Sequence, residues 1–250
     1  MNETANATLA IFADTIGRLV AHQPDAVNAA AALIADTVGT GGVVHVHDTG
    51  HMVGHELVSR TGGFVAFSRL EYEARVSSGG IAREGTASVS AEQAAASTAQ
   101  LVHWVLDQNS IRAGDVLVLS SVSGTSAAVV ELASQAIGRG IPVIALTSVA
   151  FSAHLQPKHA SGRRLLDTAT VVLDNLAPYG DSAQTVEGLP RKVVPISGVA
   201  GAALLWAVVA EATALLVARG IEPSVYPSIN LPDGPTQVAA IEARYRETGR

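Results

Sequence analysis

Five short apolar runs, rich in β-branched residues, constrain the fold of this chain more than any other feature. Helical stretches separate most of them. The runs lie at Val43–Val46, Phe64–Phe67, Val116–Leu119, Val143–Leu146 and Val171–Leu173. Because runs that are apolar on both faces are typical of strands covered on both sides, they predict a parallel sheet with flanking helices. Right-handed crossovers then give an α/β fold with a doubly wound, flavodoxin-like or Rossmann-like five-stranded sheet.

Helical periodicity surrounds these runs. Two helices are predicted within residues 1–40, and others over Val53–Arg60, Ser88–Asp107, Ser126–Arg139, Ser197–Arg219 and, near the end, Val238–Tyr245. No linker rich in Pro and Ser and no internal repeat divides the chain. We therefore expect one domain over residues 1–250, with a helical N-terminal extension (1–40) and a Pro-rich C-terminal tail (222–250).

Composition and charge exclude several classes of protein. There is no cysteine, so disulfides and thiolate metal sites are ruled out. The net charge of −6 argues against a nucleic-acid partner, which would require a basic face. The N-terminus has neither the basic region nor the continuous apolar core of a signal peptide, and we expect a cytoplasmic protein.

The segment Val193–Ala210 carries no charge and has the length of a membrane span. It contains Pro195 and several small residues, and Glu211 follows it, so a helix buried in the core or in a dimer interface is the better interpretation. We expect no membrane partner. The Ala- and Gly-rich surface of Ser197–Arg219 predicts a homodimer or homotetramer.

A Ser-rich turn is the most informative segment for function. Five of the seven residues from Ser120 to Ser126 carry a hydroxyl group, and the turn joins a predicted strand to a predicted helix. Free N–H groups and the helix dipole favour an anion there. The alternative is that these residues merely cap the helix, each contributing about 1 kcal/mol. We favour a small-anion site, whose predicted ligands are Ser121, Ser123, Gly124, Thr125 and Ser126.

The pattern S-x-S-G-x-[ST] after a strand, followed by a helix and the strand PVIALTS, resembles the SIS (sugar isomerase) domain of phosphosugar isomerases and phosphosugar-binding regulators. In that family this turn holds the sugar phosphate. Further segments resemble a bacterial group of single-SIS-domain, phosphoheptose-isomerase-like proteins: His45–Gly63, Asp174–Ser182, Glu187–Gly201 and Ala218–Asn230. The resemblance implies the SIS fold, a small anionic sugar as ligand and no cofactor.

The turn after the first strand departs from that group. The group usually reads G-T-G-H-S-H, whose Ser helps to bind the phosphate, whereas this chain reads Asp48-Thr-Gly-His-Met52. Either the second turn alone binds the phosphate, or the anion differs, for example a sulfonate. We expect Asp48, Thr49 and Gly50 to line the pocket, with Asp48 binding sugar hydroxyls.

Four histidines fall between His45 and His55 and raise the possibility of a metal-assisted isomerase. The HExxH spacing is absent, and we predict no metal. Instead, His47 or His51 is expected to contact sugar hydroxyls, and His45 to be a packed, hydrogen-bonded core residue.

Aldose–ketose isomerisation needs a base that moves a proton between C1 and C2. SIS relatives, including an etherase acting on N-acetylmuramic acid 6-phosphate, carry an acid–base Glu in a motif resembling that around Glu84, the predicted base. Its alternative role is to pair with a helix dipole. His51 and His159 are the other catalytic candidates; His159 could assist ring opening or lie on an exposed loop. Asn175 is expected to bind hydroxyls.

The resulting hypothesis is an aldose/ketose isomerase that acts on a small anionic sugar by enediol proton transfer. Two alternatives stay open at this point: a phosphosugar-binding sensor without chemistry, and a metal-assisted isomerase.

Overall fold

The computed structural model describes residues 3–50, 53–72 and 89–250. Five parallel strands form its main sheet in the order β2-β1-β3-β4-β5. They are β1 (Val44–Asp48), β2 (Phe67–Arg69), β3 (Val116–Ser120), β4 (Val143–Thr147) and β5 (Val171–Asp174). The predicted doubly wound α/β fold is therefore confirmed.

Helices cover both faces of this sheet. They are α1 (Glu3–His22), α2 (Pro24–Gly39), α3 (Val53–Leu57), α4 (Ala91–Gln108), α5 (Ala127–Gly138), α6 (Val149–Ala153), α7 (Ser197–Ala218) and α8 (Gly234–Thr248). Residues of α1, α2 and α7 form one core with Val46 and Val118, while residues of α4 and α5 form a second core with Leu117 and Leu119. The alternation of side chains along each strand thus assigns every strand residue to one of the two faces.

The second strand begins at Phe67 rather than at the predicted Phe64. Phe64 is fully buried and instead forms an isolated antiparallel bridge with Val225. The neighbouring N–H group of Val65 donates to the carbonyl of Ser224 (2.9 Å). The apolar run is therefore divided between the sheet and a contact with the C-terminal segment.

Two short antiparallel strands, β6 (Ser182–Gln184) and β7 (Val193–Pro195), follow the main sheet and lead into α7. Among the described residues, α7 is the helix that is long and apolar enough to cross a membrane. It packs against α1, α2 and α3 and buries residues such as Leu204, Val208 and Leu216. These contacts make α7 a core helix, as expected.

Candidate functional site

The strand order reverses between β1 and β3, and ligands of open α/β sheets bind beside the carboxyl ends of strands at such a point. The two predicted turns meet there. Both the N–H group and the hydroxyl of Thr49 donate to the carbonyl of Ser120, at 3.0 and 3.1 Å. Asp48 accepts the N–H group of Gly50 at 2.9 Å, which holds the first turn in shape.

A cleft opens at this point on the α1/α7 face of the sheet, and we call it the switch-point cleft. Part of its polar lining comes from the ends of three strands, through Asp48, Ser120 and Asn175. Gly50 also borders it. The cleft thus brings together three of the predicted sugar-binding residues, namely Asp48, Gly50 and Asn175.

The opposite wall of the switch-point cleft is the start of α7, which Asp181 caps. Its carboxylate accepts the N–H groups of Ile196 (3.1 Å) and Ser197 (2.9 Å) and the Ser197 hydroxyl (2.7 Å). Asp181 and Val194, both on the wall, have positive φ angles of 64° and 67°. Such conformations cost roughly 1–3 kcal/mol and cluster at functional sites. The sequence did not identify Asp181 or Val194 as part of the site, since neither conformation has a sequence signal.

The Ser-rich turn leaves the start of α5 open. Ser126 is the N-cap residue, but its side chain makes no capping hydrogen bond, whereas Ser90 and Ser148 cap α4 and α6. In the described part of the chain, no hydrogen bond is donated by the backbone N–H groups of residues 123–126. Ser123 and Ser126 are half-buried, while Ser121 and Thr125 are buried. The capping interpretation therefore does not describe Ser126, and four N–H groups stand free near a helix start.

Gly124 lets the turn pass close to the rest of the chain. Its φ is +59°, and a Cβ atom there would lie 3.0 Å from the Thr147 hydroxyl and 3.3 Å from the Leu165 Cβ atom. Its carbonyl accepts the N–H group of Leu165 at 2.8 Å. Beside it lies the fully buried hydroxyl of Ser152, which has no hydrogen-bond partner among the described residues. Contacts with β4, α6 and the segment before β5 thus hold the turn in place.

His45 and His47 point to the α4/α5 face of β1, opposite Asp48. His45 is 6% exposed and lies 3.3 Å from Asp115, a carboxylate that also accepts the N–H groups of Val43 and Arg112. Burial lowers the pKa of His45 more strongly than the charge and hydrogen bond of Asp115 raise it. His45 is therefore the packed core residue that was predicted.

His47 occupies a different environment from the switch-point cleft. Its Nδ1 atom lies 2.9 Å from the Leu70 carbonyl, and its ring stacks on Tyr72 with centroids 5.2 Å apart. Burial raises the pKa of the Tyr72 hydroxyl. The predicted contact of His47 with sugar hydroxyls would have to be made on the α4/α5 face, through its Nε2 atom.

Comparison with known proteins identifies the family. The sequence model of the SIS domain matches residues 9–148, which include β1, β3, β4 and the Ser-rich turn. The chain belongs to the SIS domain family. A UPF0309 protein of Streptomyces coelicolor is 35% identical over 94% of this chain and 92% of that protein. One of Brucella canis is 39% identical over 87% of this chain and 86% of that protein.

Two solved structures resemble this SIS protein at low sequence identity. Phosphoheptose isomerase GmhA from Neisseria gonorrhoeae is 21% identical with a TM-score of 0.49, covering 85% of this chain and 97% of that one. The sugar isomerase domain of the RpiR transcription factor from Sphaerobacter thermophilus is 14% identical with a TM-score of 0.49, covering 98% and 99%.

Two of the predicted catalytic residues of this SIS protein, His51 and Glu84, lie outside the described residues. Across residues 3–50, 53–72 and 89–250, no three His, Asp or Glu side chains are grouped as metal ligands. The third catalytic candidate, His159, lies apart from the switch-point cleft. It borders a cleft between α4 and α5 and contacts Glu131.

Sequence reasoning missed Arg69 at the end of β2. This residue lines a second small cleft with Asp48, Thr49 and Gly50. Its guanidinium donates to the Gly54 carbonyl at 3.1 Å and pairs with the exposed Glu71 at 3.4 Å. The sequence contained one indication of this role. Arg69 follows an apolar run, and the end of that run lies at the carboxyl edge of the predicted parallel sheet, where ligands bind.

Proposed function

We propose that this SIS protein is a cofactor-free aldose/ketose isomerase for a small sugar that carries a phosphate or a similar anionic group, such as a sulfonate. The observation that carries the proposal is the open start of α5. There, free N–H groups of residues 123–126 and an unengaged N-cap hydroxyl surround the end of a 12-residue helix. Such an arrangement favours a compact anion.

In this proposal, the anionic group binds at Ser121, Ser123, Gly124, Thr125 and Ser126. The sugar hydroxyls bind at the switch point, through Asp48, Thr49, Gly50 and Asn175, whereas His47 lies on the other face of β1 and is assigned no contact in this proposal. Asp48 contributes a negative charge, which disfavours an anion beside it but suits hydroxyl groups as hydrogen-bond donors. The charge distribution therefore supports an orientation with the anion towards α5.

Glu84 is the proposed base of the enediol step, with His51 and His159 assisting proton transfer. The base removes a proton from the carbon beside the carbonyl group and returns it to the neighbouring carbon, so no redox cofactor is consumed. Exchange of that proton with deuterated solvent is the signature of this step.

Anion binding is tested by comparing two variants, each of which adds one negative charge at the start of a helix. Ser126→Asp places a carboxylate at the open start of α5, whereas Ser90→Asp places it at the capped start of α4. We expect fructose 6-phosphate and other sugar phosphates or sulfosugars to raise the melting temperature of the parent protein and of Ser90→Asp, but not of Ser126→Asp. Equal responses of the two variants would contradict the proposed site.

A sensor without chemistry is the second candidate, and the missing Ser after the first strand favours it. Proton exchange separates the two functions. An isomerase exchanges the C1 or C2 proton of a bound sugar and loses this exchange in Glu84→Gln while still binding. A sensor binds the same sugar without exchange.

The cellular setting and assembly also belong to this proposal. We propose a cytoplasmic protein that assembles as a homodimer or homotetramer through the uncovered surface of α7. An apolar residue remains on that surface, Val217, which is 62% exposed.

A further inference from the structure

A further cleft lies between α1 and the segment that joins β5 to α7, and we call it the α1 cleft. Its volume is about 450 Å³, which falls within the range of roughly 300–1,000 Å³ that is typical of small-molecule sites. Its apolar lining includes Ile11 of α1 and, from the facing segment, Leu176, Ala183 and Ile196. The α1 cleft is therefore large enough and apolar enough for the body of a small organic molecule.

Hydrogen bonds tie the two walls of the α1 cleft together at both ends. Near the start of α1, the Thr8 hydroxyl donates to the side-chain oxygen of Gln184 in β6 at 3.2 Å. Just after the end of α1, the side-chain oxygen of Gln23 accepts the N–H group of Asp174 in β5 at 3.1 Å. The α1 residues that line the cleft, from Ala10 to Arg18, lie between these two ties. The cleft is therefore preformed by contacts between well-defined elements.

A thin wall separates the α1 cleft from the switch-point cleft. Asn175 lines the switch-point cleft and the next residue, Leu176, lines the α1 cleft. Pro195 and Ile196 are divided between the two clefts in the same way. Leu176 has a positive φ of 57°, an uncommon conformation for a bulky residue and one that clusters at functional sites. A ligand in the α1 cleft thus leaves the switch-point cleft open to a sugar.

The charges of the α1 cleft differ in sign from those of the switch-point cleft. Among the described residues, three charged side chains line the α1 cleft, namely Arg18, Lys192 and Asp14, and their charges sum to +1. The charged residues that line the switch-point cleft, Asp48 and Asp181, are both acidic. In a chain with a net charge of −6, the α1 cleft is therefore matched to a ligand with one negative charge.

The two cations of the α1 cleft are available to a ligand. Both are exposed at its rim, and in the described part of the chain neither the Arg18 nor the Lys192 side chain makes an ion pair or a hydrogen bond. Asp14 precedes Arg18 by one helical turn, a spacing that commonly gives an ion pair, yet these two side chains are not paired. Elsewhere on the surface an exposed arginine does find a carboxylate, since Arg219 contacts Asp36 at 2.7 Å.

We propose that the α1 cleft is a second ligand site, which binds a small organic molecule with an apolar body and one carboxylate group. The carboxylate binds between Arg18 and Lys192, because a guanidinium group matches the planar geometry of a carboxylate. The apolar body packs on Ile11, Leu176 and Ile196. This site is independent of the proposed isomerase function, and neither requires the other.

The test uses two ligands that differ in charge and share one apolar body. They are 2-naphthoate, which carries a carboxylate, and 2-naphthamide, which is neutral. In isothermal titration calorimetry, we expect 2-naphthoate to bind the parent protein with 1:1 stoichiometry, and 2-naphthamide to bind at least about threefold more weakly. In backbone NMR, we expect 2-naphthoate to cause saturable shifts of the amide signals of Ile11, Leu176 and Ile196.

Three substitutions identify the cations that bind the carboxylate. We expect Arg18→Gln and Lys192→Gln each to weaken 2-naphthoate binding about threefold, and the double variant to weaken it about tenfold. Arg191→Gln is the control, because Arg191 is an exposed neighbour of Lys192 and is not among the described residues that line the α1 cleft. The control should bind 2-naphthoate like the parent. All four replaced side chains are exposed, and the melting temperature of each variant checks that it folds.

The outcomes distinguish this inference from the proposed function. Lack of saturable 2-naphthoate binding would overturn the second site, as would equal affinities of the parent and the double variant, or of the two ligands for the parent. Saturating fructose 6-phosphate should leave 2-naphthoate binding unchanged, and displacement by this sugar would also overturn a separate site. A protein that binds 2-naphthoate in the α1 cleft but binds no sugar phosphate or sulfosugar would contradict the proposed function alone.

Discussion

Gly124 has a left-handed backbone conformation (φ +59°) at the point where the Ser-rich turn crosses Thr147 and Leu165. The sequence predicted that a glycine here allows close approach, and the structure supplies the contacts. His45 was likewise predicted as a core residue, although its partner Asp115 could not be predicted, because 69 residues separate them in sequence and only the β1–β3 register brings them together. The role of a residue such as Gly124 or His45 can be predicted from the neighbouring sequence. Its contact partners depend on which strands are neighbours in the sheet.

Gly124→Ala is expected to weaken anion binding as well as stability. The new Cβ atom would meet the Thr147 hydroxyl at 3.0 Å, and the left-handed conformation costs an alanine about 1–2 kcal/mol. Gly138→Ala at the end of α5 is the control, since nothing lies within 4 Å of its Cβ position. Urea unfolding and the thermal response to fructose 6-phosphate measure both effects. A Gly124→Ala variant as stable and as responsive as Gly138→Ala would contradict this account of the turn.

The buried His45 is expected to make the free energy of unfolding depend on pH. Because burial lowers its pKa in the folded protein, the unfolded chain binds more protons once the pH falls below about 6.5. The contribution to the free energy of unfolding is therefore complete above that pH and is lost as the pH falls towards the folded pKa. In urea unfolding at pH 7.5 and 5.5, we expect a smaller pH difference for His45→Gln than for the parent. Identical differences would show that His45 does not titrate in this way.

At the scale of elements, the main-sheet strands and the longer helices were predictable, whereas α6 and some element ends were not. The five apolar runs correspond to the five strands, yet β2 begins at Phe67, because Phe64 bridges to Val225 from the distant C-terminal segment. The strands β6 and β7 were not predicted, since three-residue strands carry too few residues for a periodic pattern. The Ser-rich turn was located correctly, whereas the lack of a cap at Ser126 was visible only in the structure.

The two helix starts at Ser90 and Ser126 should respond differently to the loss of the hydroxyl. Ser90 forms a capping box with Gln93, so Ser90→Ala is expected to cost about 1 kcal/mol of unfolding free energy. Ser126→Ala removes no capping bond and is expected to cost distinctly less. Urea unfolding of both variants measures the difference, and equal losses would mean that Ser126 does cap α5 in solution.

At the scale of the whole molecule, the clefts described above lie on both sides of the Ser-rich turn. The switch-point cleft is on the α1/α7 face, and the cleft of His159 and Glu131 is on the α4/α5 face. A net charge of −6 leaves the anion to be bound by local donors rather than by the overall field. The sequence could predict the charge and the turn, but not the division of the candidate residues between two faces.

The uncovered surface of α7 indicates that the protein forms an oligomer. A single charged substitution on that surface should disrupt the assembly. Val217 is 62% exposed on α7, and Leu231 is 49% exposed in the C-terminal tail. In sedimentation velocity at micromolar concentration, we expect Val217→Glu to shift the protein towards monomer, while Leu231→Glu sediments like the parent. A parent protein that is already monomeric would contradict the predicted assembly.

Backbone NMR directly observes the free N–H groups before α5, which we propose to bind the anionic group of a sugar. On titration with fructose 6-phosphate or a sulfosugar, we expect saturable shifts of the amide signals of residues 123–126 that are absent in Ser126→Asp. Saturable binding of these ligands that leaves these four signals unmoved would contradict the proposed anion site.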